Sequence, residues 1–195
     1  MCGRYYVDEE TRKAVEAAAG KGSWPSGLKF GDVFPSQLAA VLAPGAGGHP
    51  MMIRQMYWGF KRQDRNGLLI NARAETALER PAFRDSMRYR RCVIPAAGFY
   101  EWNREREKAV FTREDKGVLY LAGCYAQSGD EQQYVILTTE ANSSVLPVHQ
   151  RMPVILESVE LERWLLDERF ADAVLHRIPP LLAREQEYEQ QRLPF

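Results

Sequence analysis

A single α+β domain spanning residues 1–195, built on a mostly antiparallel, distorted barrel-like sheet with a few peripheral helices, is the fold this sequence predicts. Three observations predict it. Short runs rich in Val, Ile, Leu, Tyr and Phe recur along the chain between turn-forming or charged residues. Only a few segments carry helix start and stop signals. No internal repeat or linker-like stretch divides the 195 residues, a length at which one domain buries roughly two thirds of its unfolded surface.

The elements follow in chain order. DEETRKAVEAAA (8–19) reads as a helix, with acids at its start, good helix formers inside and Gly20 as its stop. Residues 20–50 are rich in Gly, Pro and Ser and read mainly as loop, with a strand inside GDVFPSQLAAVL (31–42). MMIRQMYWGF (51–60) and GLLINARAE (67–75) are strand-like and are split by the charged turn KRQDRNG. A short helix is expected from Pro81 to Tyr89, since proline suits a first helical turn. Strand-like runs then come at RCVIP, AGFYEW, AVFTR, VLYLAGCYA, QYVILTTEA and MPVILE. Ser158 is placed to cap a helix through VELERWLLDERF, with Glu160 in its first turn. The polar tail REQEYEQQRLPF reads as a solvated helix or a frayed end.

Composition excludes several classes of function. Hydrophobic residues make up 45% and charged residues 27%, which is a globular rather than a disordered mix. The 26 basic and 26 acidic side chains cancel, so any polyanion site must be a local patch made by the fold. There is no run of about 18 apolar residues, hence no membrane span. The first ten residues hold Arg4, Asp8, Glu9 and Glu10 and no apolar core of a secretory signal. Cys2, Cys92 and Cys124 are odd in number and form no CxxC pair, which argues against a disulfide scaffold or a zinc knuckle. A reduced, cytoplasmic protein is expected, without metal or organic cofactor, and a monomer.

Four stretches hold the chemistry. The chain opens MCGR. Loss of Met1 would make Cys2 a 1,2-aminothiol, with an amine of pKa about 7.7–8.0 beside a thiol of about 8.5. Such a group either attacks an acyl carbon as thiolate or condenses through its amine with an aldehyde, after which the thiol closes a thiazolidine. A cysteine at a frayed end without any role is the bland alternative. In LLINARAET, Asn71, Arg73 and Glu75 alternate and share a face if the strand continues, which suits an oxyanion or phosphate site; a solvated strand end fits equally.

In CVIPAAGFYEW, Glu101 lies between Tyr100 and Trp102, a setting that desolvates a carboxyl for acid–base work unless Glu101 faces solvent. Trp102 is either a core residue or a base-stacking platform. In PVHQRMPVIL, His149 is a proton carrier or a structural histidine, and Arg151 is a candidate bidentate anion ligand. His49 and His176 read as surface residues. The basic run RDSMRYRR (84–91) lines a polyanion groove or, by default, a solvated helix face.

MCGR, NARAET, CVIPAAGFYEW and HQRMPVIL, in this order over residues 2–156, resemble the SRAP (SOS-response-associated peptidase) family, whose members shield abasic sites in single-stranded DNA. The resemblance implies a mixed α+β domain around a distorted barrel-like sheet. It implies that Cys2, after autoproteolytic or aminopeptidase removal of Met1, forms a thiazolidine with the ring-opened abasic sugar. By the same resemblance Asn71 orients the reacting centre, Glu101 is the acid–base, and His149 is a second proton-transfer residue. Arg4, Arg73 and Arg151 then hold backbone phosphates, and Pro35 in FPSQ lies near the DNA. The partner implied is single-stranded DNA containing abasic sites, and the activity is lyase-like Schiff-base crosslinking with self-processing peptidase chemistry.

The sequence also departs from the family pattern. After MYWGF, KRQDRNG stands where a loop containing Pro and Trp is usual, which leaves Trp58 as the candidate substitute for a stacking tryptophan. Beyond Phe170 no family tail feature is identifiable. Two other functions remain open on the residues alone. One is a cysteine peptidase or amidohydrolase with Cys2 as acyl nucleophile. The other is a non-catalytic nucleic-acid-binding module.

Overall fold

The computed structural model describes residues 2–20, 23–45, 47, 49–62 and 66–186. Strand β1 (Tyr5–Val7) leads into helix α1 (Glu9–Ala19), then β2 (Gly31–Val33), β3 (Leu38–Pro44), β4 (Met51–Trp58), β5 (Phe60–Lys61), β6 (Leu68–Leu69) and β7 (Asn71–Arg73). Helix α2 (Arg84–Tyr89) is followed by β8 (Arg91–Ala96), β9 (Gly98–Trp102), β10 (Lys108–Thr112), β11 (Leu119–Ser128), β12 (Glu131–Glu140), β13 (Arg151–Pro153) and β14 (Ile155–Leu156). Helices α3 (Leu161–Leu166) and α4 (Glu168–Leu175) precede β15 (Ala183–Gln186).

Strands β3, β4, β12, β11 and β8 pair in a closed ring, with β3 returning to β8 through Leu42 and Val93. The β4–β12 contact is parallel and the other ring pairs are antiparallel. A second sheet, in the order β2–β1–β9–β10–β15, lies against this barrel. The α+β, barrel-like expectation is borne out.

Ring closure explains why the strands read as continuous apolar runs rather than as alternating ones. Both faces are buried. Val41, Ile94, Leu121 and Ile136 join one cluster with Tyr5, Phe99 and Phe111 of the second sheet. Their neighbours Leu42, Val93, Ala122 and Val135 join another with Val15, Met87 and Trp164 of the helices. All six residues of β8 are buried. Polar atoms in the first cluster are matched. Tyr5 and Tyr134 share a hydroxyl–hydroxyl bond of 2.7 Å, and Trp58 Nε1 donates to Ile70 O at 2.9 Å. Gly123 faces Cys92 where the wall is tightest: a Cβ there would lie 2.4 Å from Ile94 Cδ1 and 2.5 Å from Val135 O.

Several local expectations change. Helix α1 begins as read, with the Asp8 carboxylate accepting from Thr11 N–H at 2.8 Å, and Gly20 ends it at φ 69°. Helix α2 starts at Arg84, not Pro81; residues 81–83 form a turn. The helix expected over 159–170 is a 3-10 turn (Ser158–Glu160) followed by two helices, because Asp167 is extended (φ −101°, ψ 111°) and caps α4 through Phe170 N–H at 3.0 Å. Glu157 rather than Ser158 caps the entry, in a reciprocal pair with Glu160.

The polar stretch 183–186 is neither helix nor frayed: it is strand β15 on the edge of β10. The rest of the expected tail, 187–195, lies outside the described residues, as do 63–65 of the departing loop. The basic run 84–91 is not uniformly solvated. Arg91 is buried and donates to the carbonyls of Trp164 (2.6 Å), Met87 (3.0 Å), Arg88 (3.2 Å) and Leu165 (3.3 Å), closing the ends of α2 and α3.

Candidate active site

Strand β1 sits between β2 and β9, and this fixes where its N-terminal approach runs. Cys2 is carried into the core, fully buried, with its Sγ 3.7 Å from Arg4 O. Strand β7 lies parallel to β12, with Asn71 opposite Ile136, so Asn71 reaches across and donates from Nδ2 to Cys2 O at 3.0 Å. The Asn71 Oδ1 is buried without a hydrogen-bond partner among the described residues. An orphaned buried acceptor costs roughly 1–3 kcal/mol, which a donor from water or from a bound molecule would offset.

Period-two alternation along β9 turns Phe99 and Glu101 inward and Tyr100 and Trp102 toward the rim. Glu101 is 3% exposed. Burial pushes its carboxyl above the ordinary range, and His149 is near enough to work in the opposite direction. Burial likewise pushes the Cys2 thiol far up, and the Glu101 charge adds to this. Cys2, Glu101 and His149 therefore lie within one electrostatic neighbourhood, and Asn71 is bonded to it. His149 precedes β13, where its Nδ1 accepts from Arg151 N–H at 2.9 Å, with Arg151 O at 3.1 Å. The N–H contact is the shorter of the two and suits the tautomer that leaves Nδ1 an acceptor.

The three arginines differ. Arg4 lies over the rings of Phe34 (4.6 Å), Trp102 (5.1 Å) and Tyr100 (5.6 Å) and pairs with Asp32 at 3.5 Å. Arg151 makes a bidentate pair with Glu75, Nη1–Oε1 2.7 Å and Nη2–Oε2 2.8 Å, and Nη2 also donates to Thr138 O at 2.5 Å. Arg73 is exposed, with no ion pair among the described residues. Pro35 sits half-buried in the turn between β2 and β3, beside the Phe34 that covers Arg4.

Trp102 is half-buried at the rim, whereas Trp58 is wholly buried against Tyr5 and Tyr134 and has no face to offer a base. Trp58 is thus no substitute for a stacking tryptophan. The shared strand face expected for Asn71, Arg73 and Glu75 also changes, because the strand stops at Arg73 and Glu75 falls on a 3-10 turn. His49 and His176 are exposed, as read.

An open cleft of about 540 Å³ runs beside His149, lined also by Trp102, Arg104, Leu146, Pro147 and Gln150. A second cavity of about 330 Å³ lies between α2 and α4, away from Cys2. Sequence reasoning missed the aromatic enclosure of Arg4 and the Glu75–Arg151 ion pair. The alternation in NARAE placed a carboxylate near the site but could not name its partner. Among the described residues, no group of three or more His, Cys, Asp and Glu is placed to hold a metal. Among the described residues, no helix is long and apolar enough to cross a membrane.

The family model described as SOS response associated peptidase (SRAP) matches residues 1–191. The chain belongs to the SRAP family. Among its relatives, the abasic site processing protein YoaM of Bacillus subtilis (strain 168) is 32% identical over 185 residues, covering 85% of this chain and 79% of that one. The abasic site processing protein HMCES of Gallus gallus is 26% identical over 219 residues, covering 85% of this chain and 65% of that one. A crystal structure of a protein from Bordetella bronchiseptica superposes with a TM-score of 0.78 at 22% identity, covering 95% of this chain and 99% of that one, which establishes the shared fold. The SRAP match spans all the residues that converge on Cys2.

Proposed function

We propose that this SRAP protein shields abasic sites in single-stranded DNA by bonding covalently to the sugar aldehyde through Cys2 once Met1 is removed. The observation that carries the reading is the convergence on Cys2: Asn71 holds its carbonyl, and a buried carboxyl that favours its proton lies beside a buried thiol.

The state of the thiol selects the order of steps. A thiol held in its protonated form by burial is a poor first nucleophile for an acyl carbon. An α-amine titrates near neutral pH and is the better opening nucleophile. The amine adds to the ring-opened aldehyde, the carbinolamine loses water, and a Schiff base forms. The protonated Schiff base then takes the Cys2 sulfur at its carbon and keeps its N–H, while the thiol proton passes to the Glu101 carboxylate, which closes the five-membered thiazolidine. One water leaves overall, and no phosphate bond breaks.

Glu101 supplies the proton that carries off the carbinolamine oxygen as water and takes up the thiol proton during ring closure. His149 exchanges protons with Glu101 from Nε2. Asn71 fixes the Cys2 backbone and offers Oδ1 to the reacting amine or a sugar hydroxyl. An abasic site has no base to read, so recognition rests on phosphates and stacking of the flanking bases. Arg73 offers its donors directly. Arg4 and Arg151 each keep a buried Nε with no partner among the described residues, while Asp32 and Glu75 orient the rest of each guanidinium.

The test mixes Met1-free protein with a single-stranded oligonucleotide bearing one abasic site and looks for a heat-stable shifted band without borohydride. The band is expected with wild type, and absent with Cys2→Ala and with undamaged DNA. No band from correctly processed wild type overturns the proposal and turns attention to acyl substrates.

A further inference from the structure

We infer that Glu75 is a positioning residue for the reaction: it anchors Arg151 so that the Arg151 backbone fixes the His149 ring. The inference rests on the abasic-site reading for its kinetic consequence, and on geometry alone for the ring.

Strand β12 lies between the two segments that carry site residues. On one side β7 pairs with it at Ile136–Thr138; on the other, β13 pairs at Thr138–Glu140. Asn71 belongs to the first segment, and His149 directly precedes the second. The Glu75–Arg151 pair spans the strand between them. Its fork is bidentate, the Arg151 Nη2 is also tied to Thr138 O, and Thr139 Oγ1 reaches Glu75 Oε1 at 3.4 Å.

The Arg151 side chain is 14% exposed and that of Glu75 42%, so the guanidinium is withdrawn from water while the carboxylate stays at the surface, and the bidentate geometry with the Thr138 O contact is what fixes the pair. The Arg151 hydrogen bonds hold the Glu75 carboxyl below its ordinary range, so the clamp is charged at neutral pH. One residue links this clamp to the chemistry. The same Arg151 whose side chain is clamped donates its backbone N–H to His149 Nδ1. The preceding Gln150 carbonyl is held by Ala141 N–H at 2.9 Å. A clamped Arg151 thus holds in place the backbone N–H on which His149 Nδ1 rests, and with it the setting of the ring.

The double-mutant cycle combines Glu75→Gln with His149→Ala, and reads the first-order crosslinking rate constant at saturating abasic single-stranded DNA. Melting temperature and DNA affinity are measured alongside. Glu75→Gln is expected to slow the reaction on the order of tenfold, inside the roughly 100-fold that an ångström-scale misplacement of a reacting group costs. In the His149→Ala background it is expected to change the rate less than about twofold, because its route to the reaction is already gone. Glu75→Asp, which keeps the charge, is expected to recover part of the rate. It replaces Glu75→Gln in the cycle if that variant does not fold.

Nitrogen NMR of the imidazole supplies a readout independent of DNA, with a single Nε2–H tautomer in wild type and a mixture in Glu75→Gln. A wild-type rate in Glu75→Gln, a full multiplicative effect on top of His149→Ala, or a wild-type rate in His149→Ala overturns the inference. Absence of any wild-type crosslink overturns the abasic-site reading instead, and an unchanged tautomer in Glu75→Gln then overturns the clamp as well.

Discussion

Cys2 and the barrel-wall cysteines are equally buried, yet they sit in different chemistry. Cys92 and Cys124 lie in β8 and β11, on opposite faces of the closed ring, Cys92 in the cluster with Tyr5 and Tyr134 and Cys124 in the cluster with Val135 and Trp164. Burial raises the Cys92 thiol well above its ordinary value and Cys124 to about 12, and among the described residues no side-chain carboxyl or amide hydrogen-bonds to either thiol. Cys2 is just as dry, but Asn71 donates to its carbonyl, the Glu101 carboxyl is near enough to act on its thiol, and His149 is near enough to act on Glu101. Burial alone makes an inert thiol. A reactive one needs polar groups that move protons inside the same dry space.

The largest effect that sharpens this contrast is loss of the covalent adduct. Cys2→Ala is expected to abolish crosslinking to abasic DNA on a denaturing gel, whereas Cys92→Ala and Cys124→Ala keep it and lose only about 1 kcal/mol of stability. Loss of the adduct in either wall variant with the fold intact would break the comparison.

Glu101→Gln comes next. Removing a general acid–base is expected to slow crosslinking about 10²–10⁴-fold. It should also raise the melting temperature at neutral pH. Burial lifts the folded-state pKa of Glu101 above its unfolded value. Protonation therefore favours the fold, fully below the unfolded pKa, and that advantage fades as pH rises through the folded one. At neutral pH the buried carboxyl is a liability that the amide lacks. The two melting curves should converge in the acidic range, and a Glu101→Gln melting point below wild type at neutral pH would contradict the assignment.

A smaller effect belongs to the wall. Gly123→Ala pushes a methyl against Ile94 and the Val135 carbonyl and is expected to cost about 1–3 kcal/mol in urea unfolding, with crosslinking per folded molecule unchanged. The smallest is at the exposed histidines. His49→Ala and His176→Ala are expected to stay within about 0.5 kcal/mol of wild type with unchanged crosslinking rates, in contrast to His149→Ala.

The wall strands were legible in sequence because burial on both faces leaves uninterrupted apolar runs, and Asp8 and Gly20 announced their helix. The candidate site residues were marked by resemblance, since MCGR, NARAET, CVIPAAGFYEW and HQRMPVIL stand in the SRAP order; polar groups beside apolar strands alone left a solvated strand end or a structural histidine open. What stayed hidden was decided by partners far along the chain. Arg91 sits in a basic run, and only the carbonyl of Trp164, 73 residues away, shows why it is buried. Glu75 and Arg151 are 76 residues apart, so their fork follows from the register of β7 and β13 on β12. Strand β15 is polar because it is an edge, and its pairing to β10 leaves no apolar period to read. The break at Asp167 was invisible because an acid inside a good helical pattern reads as a solvated residue rather than as a second cap.

The measurement that bears most directly on Cys2 is the intact mass of the adduct formed by wild-type protein on an abasic single strand, heated and never treated with reductant. The account requires the mass of the protein without Met1 plus the oligonucleotide, less one water, and no such species from Cys2→Ser. An adduct that retains Met1, or one that survives in Cys2→Ser, would contradict it.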